Sequence, residues 1–153
     1  MRINLTFDIQ PYLLLFAQGI NVRVIRLIGK VRFWTGTDWT DEEAAIIDSG
    51  SPVSLLPFSA WQGIEAEILS SPVPLRGLAP QRSATVMGRL AEITATFSDG
   101  ENTSPPRVMR AYLVDTDRVP LLIGFEDVLT ECLLVSDFPN DLAYLEFATE
   151  SVS

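Results

Sequence analysis

Alternation of apolar and polar residues is the feature that most restricts what this chain can fold into. Residues 3–9 alternate strictly, which is the period-two pattern of a strand with one buried face. An extended stretch rich in β-branched residues covers residues 22–34, and we expect an interruption at Gly29-Lys30. Further strand candidates are residues 43–47, 84–97, 108–114, 119–124 and 142–147. The pattern therefore predicts an all-β protein.

Two segments depart from the strand pattern and are predicted to be short helices. Residues 57–63 carry proline in the first turn and glycine near the end. Residues 125–133 follow a glycine and place Glu126 and Asp127 in the first turn, where the helix dipole favours acidic side chains. No internal repeat or linker-like tract interrupts the 153 residues, of which 47% are hydrophobic. We expect one domain over residues 1–153, large enough for a core of its own.

The residue types that the chain lacks restrict its chemistry. There is no histidine, which excludes Ser-His-Asp and Cys-His catalysis and histidine-based metal sites. Cys132 is the one cysteine, so it can form neither an internal disulfide nor a cysteine-rich zinc site, and its apolar surroundings predict a buried structural thiol. Lys30 is the one lysine, which leaves little room for Schiff-base chemistry. If the chain is an enzyme, we expect carboxylates to do the work, with no metal and no cofactor.

The charge balance and the lengths of the apolar runs limit which classes of partner the chain can bind. The 20 acidic and 11 basic side chains give a net charge of -9, which repels phosphate backbones, so no nucleic-acid partner is expected. Residues 12–16 are apolar but short, and they follow Asp8 rather than a basic cluster, unlike a secretory signal. No run approaches the roughly 20 apolar residues that cross a bilayer. We expect a cytoplasmic protein with no membrane partner.

One triplet stands out as a candidate site, Asp48-Ser49-Gly50. It follows the apolar residues 44–47, and the chain returns to apolar residues after Ser51. An apolar strand that leads an acid into a glycine-containing loop can present a carboxylate at a fixed position in a cleft. The same residue types are also common turn formers, so the triplet taken alone fits an ordinary surface turn as well.

Two segments taken together resemble the retropepsin-like aspartic proteases in their single-domain form. Residues 46–54 resemble the family's catalytic loop, in which two apolar residues precede Asp-Thr/Ser-Gly-Ala/Ser and a Ser or Thr follows. The Leu-Leu-Ile-Gly of residues 121–124 resembles its second motif, an apolar strand that ends at glycine just before a C-terminal helix. Between them, residues 70–86 stand where the family has a mobile hairpin, the flap. One departure is Glu126, which stands where the family often has aspartate.

The resemblance implies an acid-protease fold, a closed β-barrel with one or two short helices, that hydrolyses polypeptide substrates. A single Asp-Ser-Gly in 153 residues is too little for the two-lobed pepsin architecture, so the resemblance implies a homodimer with the active site on its twofold axis. The resemblance assigns Asp48 as the catalytic residue, Ser49, Gly50 and Ser51 as its supporting loop, Arg76, Gly77 and Leu78 as the flap, and Leu122, Ile123 and Gly124 as the second motif.

Within that site, the resemblance gives each loop residue a role. Asp48 would serve as acid and base, Ser49 would hydrogen-bond to the loop of the second subunit, and Gly50 would let the two loops approach closely. Two alternatives stay open. The chain could be a retropepsin-like domain for dimerisation or peptide binding with weak or no catalysis, or an unrelated β-barrel in which Asp48 is an exposed turn residue.

Overall fold

The computed structural model describes residues 1–75 and 85–148, and they are mostly β, with 52% of residues in strands and 10% in helices. This confirms the prediction of an all-β protein with short helices. In the described ranges the strands are β1 (Arg2–Asn4), β2 (Thr6–Pro11), β3 (Arg23–Phe33), β4 (Glu43–Ile47), β5 (Ser54–Leu56), β6 (Ala66–Ile68), β7 (Val73–Leu75), β8 (Val86–Ser98), β9 (Arg107–Val114), β10 (Leu122–Ile123), β11 (Cys132–Asp137) and β12 (Leu142–Phe147). The helices are α1 (Leu13–Phe16) and α2 (Phe58–Trp61), with 3₁₀ turns at Leu129–Glu131 and Phe138–Asn140.

Six strands form a closed ring in the hydrogen-bonded order β3, β4, β10, β5, β9, β8 and back to β3. Strand β3 closes it, because it pairs with β4 through Leu27–Val31 and with β8 through Lys30–Phe33. Strand β2 pairs with Arg23–Ile28 of β3. It lies on the same edge of β3 as β8 but nearer the start of β3. The ring thus gives one long strand, β3, three different partners.

The interruption predicted within β3 is wrong, because the strand runs unbroken from Arg23 to Phe33. Gly29 lies in the middle of the strand, where a Cβ atom would stand 3.0 Å from a Leu5 methyl and 3.2 Å from an Ile47 methyl. The glycine therefore leaves space beside β3 for the core side chains of Leu5 and Ile47, and it does not break the strand.

The hydrophobic core lies between the ring and a second sheet of three strands in the order β1, β12, β11. The rings of Phe97, from the closed ring, and Phe147, from the second sheet, stack at 5.8 Å between centroids. Burying side chains of this size is the main favourable term in folding, so the two sheets stabilise one another. The largest fully buried apolar side chains are Phe33, Phe97, Ile3, Leu56, Met109, Ile123 and Leu145.

The helix predicted at residues 125–133 is also wrong. Residues 125–128 form turns, Leu129–Glu131 is one 3₁₀ turn, and β11 begins at Cys132 and pairs with β12 along its length. Asp127 has φ of +66°, a left-handed conformation that no helix continues through. Cys132 is only partly buried, and burial raises the pKa of its thiol, so it is less reactive than an exposed cysteine.

The other predicted helix is confirmed as α2, which follows Pro57. It packs on the ring through the buried Ala60 and through Trp61, whose Nε1 donates to the Val114 carbonyl at 2.7 Å. Among the described residues, neither helix is long and apolar enough to cross a membrane.

Candidate active site

Asp48 stands where β4 ends, at the mouth of the ring. The backbone of Asp48 is fixed relative to β10, because its amide donates to the Ile123 carbonyl at 2.9 Å and continues the pairing of β4 with β10. We call residues 48–53, which join β4 to β5, the Asp48 loop. Asp48 is half-buried, whereas Ser49 and Gly50 are exposed. This differs from the fully exposed Asp48 that the reading as an ordinary surface turn predicts.

Strand β10 lies between the two strands that the Asp48 loop joins. Leu122 is paired in parallel with Ile46 of β4 and antiparallel with Leu55 of β5. The structure therefore brings Leu122, Ile123 and Gly124 directly beneath a loop some 70 residues earlier in the chain. A loop whose two flanking strands both pair with the same third strand is held more firmly than a loop at the edge of a sheet.

Gly124 is the point of closest approach between β10 and the Asp48 loop. A Cβ atom there would lie 2.5 Å from the Ser51 carbonyl oxygen and 3.0 Å from the backbone of Val53, so only glycine fits. Its amide donates to Ser54 Oγ at 3.0 Å, and Ser54 is completely buried. The next amide, that of Phe125, donates to the Ser51 carbonyl at 3.0 Å. The chain after β10 is thus hydrogen-bonded directly to the Asp48 loop.

The carboxylate of Asp48 is oriented by its own loop. Oδ1 accepts from the Gly50 amide at 2.8 Å, and the Ser51 amide donates to the Asp48 carbonyl at 3.1 Å. In residues 1–75 and 85–148, Oδ2 accepts no hydrogen bond and no basic side chain forms an ion pair with Asp48. One carboxylate oxygen is therefore fixed, and the other has no hydrogen-bond partner among the described residues.

The two serines of the loop are not placed as nucleophiles. The hydroxyl of Ser51 donates to the Val53 carbonyl at 2.7 Å, so it is used to hold the loop. Ser49 is exposed, and its hydroxyl has no hydrogen-bond partner in the described part of the chain. The chain contains no histidine that could activate either hydroxyl. The candidate reactive group of this loop is therefore the Asp48 carboxylate rather than a serine hydroxyl.

A groove of about 420 Å³ opens beside Asp48, and we call it the Asp48 groove. Strand β3 forms one wall through residues 24–27, and Ser136 of β11 contributes to another. Asp48 is the one acidic residue among the described residues that line it. A reaction that needs two carboxylates must therefore obtain the second from outside the groove of a single chain.

The flap candidates Arg76, Gly77 and Leu78 lie outside the described residues. The strands that flank them are described: β7 pairs antiparallel with the start of β8, with Leu75 opposite Val86. This places the two ends of the intervening segment side by side.

Sequence reasoning missed two supports of this site. Ser54 is the serine that ends the first motif, but the motif does not predict that its buried hydroxyl accepts from the Gly124 amide. Asp127, predicted to lie in a helix, instead accepts from Arg110 Nε at 2.8 Å and from the Arg110 amide at 2.9 Å. The hydrogen bond from the Arg110 guanidinium holds the pKa of Asp127 below its usual range. The pair fixes the chain after Gly124 to β9.

Comparison of the chain with protein-family models gave no match, and comparison with curated proteins gave none either. The site itself consists of a half-buried carboxylate with one oxygen bonded to the Gly50 amide, a strand beneath it, and a groove beside it.

Proposed function

We propose that the chain is a homodimeric aspartic endopeptidase of the retropepsin-like type, with one Asp48 from each copy. The observation that carries the proposal is strand β10, which lies between β4 and β5 and supports the Asp48 loop from below. This arrangement gives a physical reason for the two sequence motifs to occur together, because the second motif packs under the first. The closed ring of strands is compatible with the acid-protease fold that the motifs imply.

Two carboxylates about 3 Å apart cannot both be ionised, so a pair of Asp48 residues would hold one proton between them. The ionised carboxylate takes a proton from a water molecule, and the water oxygen attacks the carbonyl carbon of the scissile peptide bond. The protonated carboxyl of the other copy gives its proton to the carbonyl oxygen. When the tetrahedral intermediate collapses, the carbon–nitrogen bond breaks and the leaving nitrogen takes the proton that the first carboxylate received from water. A hydroxyl of the intermediate gives its proton to the other carboxylate as the new carbonyl forms, so the pair again holds one shared proton.

The hydrogen bond from the Gly50 amide to Oδ1 suits this chemistry. It fixes the direction of the carboxylate before substrate arrives and leaves Oδ2 to face the water or the second carboxylate. Orientation of this kind removes part of the entropic cost of reaching the transition state. Exposed Ser49 and Gly50 lie at the tip of the loop, where a second copy could approach.

Replacement of Asp48 with asparagine tests the proposal. Asp48→Asn keeps the hydrogen bond from the Gly50 amide but removes the ionisable group, so cleavage of a mixed peptide library between about pH 4 and about pH 7 should fall at least about 1,000-fold. Asp38→Asn is the matched control, because Asp38 is an exposed turn aspartate whose Oδ1 accepts from the Trp39 amide at 2.7 Å. Retained cleavage in Asp48→Asn with an intact dimer would contradict the proposal.

A second candidate function is a retropepsin-like domain that dimerises or binds peptides without cleaving them. The observation that favours it is the hydrogen bond between Asp48 and Gly50, since the same contact stabilises an ordinary turn that has no catalytic role. Saturable binding of peptides by the wild-type chain, without cleavage at any pH tested, would favour this function over the first.

A further inference from the structure

The hairpin of β2 and the first half of β3 carries an apolar surface that the described chain leaves uncovered. We call its outer part, residues 9–25, the arm. Residues 9–22 contain no acidic or basic side chain. No residue of helix α1 is buried: Leu13 and Leu14 are each 70% exposed and Phe16 is 61% exposed. The other exposed large apolar side chains of the arm are Ile9, Tyr12, Ile20, Val22 and Ile25.

The exposed surface of the arm is large for a chain of this size. Summed over all sides of the arm, eight large side chains at these exposures present on the order of 800 Å², and a standard protein interface takes about that area from each partner. Single exposed apolar residues are normal, but a concentration of this extent marks an interaction site.

The arm leaves the ring beside Asp48. Strand β4 ends at Ile47, which pairs with Leu27 of β3. Beyond that pair, residues 23–26 of β3 have β2 on one side and, in the described ranges, no strand on the other. At about 3.3 Å per residue they reach about 13 Å past the end of β4. Their open edge and the Asp48 loop line the same groove.

The core face of the sheet continues onto the arm. Phe7 and Leu27 pair across β2 and β3 and pack against the core. The next pair on the same face, Ile9 and Ile25, is exposed. Arg23 lies over the ring of Phe138, 5.2 Å from its centroid, and this contact holds the base of the arm. The apolar face therefore extends from the core past the ring to Ile9 and Ile25, whose side chains remain 46% and 40% exposed.

We propose that the arm packs on a second copy of this chain and is a principal contact of the dimer. The inference rests on the proposed function, which places the two Asp48 loops on a twofold axis. An element that starts beside Asp48 and reaches about 13 Å beyond it then meets the other copy. An open antiparallel edge beside a twofold axis can pair with its own symmetry mate. The chain carries a net charge of -9, so two copies approach with least repulsion through residues 9–22 of the arm, which carry no charge.

Sedimentation velocity of matched variants tests the proposal. Leu14→Gln combined with Phe16→Gln removes two apolar contacts from each copy without a change of charge, and should weaken dimerisation about 100-fold or more. The control variant carries Ile68→Gln and Val108→Gln, which replace exposed apolar side chains of β6 and β9, strands that do not pair with the arm. It should sediment like the wild type. Both variants should keep the far-ultraviolet circular dichroism of the wild type, because none of the four side chains is buried.

The outcomes separate this inference from the proposed function. An arm variant that dimerises like the wild type overturns the inference, and Asp48→Asn can still show that the chain is a peptidase. A dimer that depends on the arm but cleaves no peptide supports the inference and counts against the proposed function. Arm-dependent binding of a monomeric wild type to vesicles of phosphatidylcholine and phosphatidylglycerol overturns the inference, and so does a raised KM in an arm variant that remains dimeric.

Discussion

The Asp48 loop and the arm adjoin the same groove and are stabilised in opposite ways. The loop is short, and its contacts come from within the chain: β10 lies beneath it, Gly124 touches it, and buried Ser54 accepts from the Gly124 amide. The arm is long and apolar, and helix α1 near its tip has no buried residue. Contacts within one chain therefore fix the position of the Asp48 carboxylate, while the apolar surface of the arm beside it remains exposed.

This difference separates two kinds of substitution. Changes beneath the Asp48 loop should lower the free energy of unfolding, because they disturb contacts made within one chain. Changes on the arm should alter association and leave the fold of the chain intact. Three substitutions beneath the loop measure how firmly a single chain holds the carboxylate.

Gly124→Ala should have the largest effect, a loss of about 3 kcal/mol in the free energy of unfolding. The new Cβ would lie 2.5 Å from the Ser51 carbonyl oxygen, and backbone atoms cannot move aside without shifting the Asp48 loop. Urea denaturation measures the loss. Gly63→Ala is the control, because no atom lies within 4 Å of a Cβ there, and its effect should stay within about 0.5 kcal/mol. Equal stability of the two variants would show that the loop is not tightly packed on β10.

Ser54→Ala should destabilise the chain by about 2 kcal/mol, because it leaves the buried Gly124 amide without an acceptor. The same denaturation experiment measures this loss. Ser59→Ala, at an exposed serine of α2, should change the free energy of unfolding by less than about 0.5 kcal/mol. An unchanged stability of Ser54→Ala would mean that the amide finds another acceptor and that Ser54 is not a support of the site.

Sequence reasoning succeeded where the signal is local. Alternation predicted a strand over residues 3–9, which the structure divides at Leu5 into β1 and β2 of two different sheets. Proline and glycine located α2, because a helix end is set by neighbouring residues. The apolar residues before Asp48 located the end of β4 for the same reason. These elements could be read from short windows of the chain.

The failures concern contacts between distant residues. Residues 125–133 have an acceptable helix pattern, but pairing with β12 and the bond between Arg110 and Asp127 decide their conformation. Gly29 has the local pattern of a strand breaker, but its actual role is to leave space for the side chains of Leu5 and Ile47, which are distant in the sequence. The role of Ser54 depends on Gly124, 70 residues later. No local pattern could have given these partners.

Asp127→Asn should have the smallest effect of the three, about 1 kcal/mol at neutral pH, since the pair with Arg110 is partly exposed to solvent. Asparagine tolerates the left-handed conformation of residue 127, so the change removes the charge and keeps the backbone. Asp141→Asn is the control, because Asp141 also has positive φ, at +50°, but is exposed.

The pH dependence of that loss identifies its cause. The Arg110 guanidinium lowers the pKa of Asp127 in the folded chain, so the contribution of the ionised carboxylate is fully present above its unfolded pKa, about 3.9. It is lost as the pH falls through the lower, folded pKa. The stability gap between wild type and Asp127→Asn, measured by urea denaturation, should therefore be constant above about pH 5 and close at strongly acidic pH. A gap that persists unchanged in acid would show that the ion pair does not hold the chain after Gly124, leaving Gly124 and Ser54 as its supports.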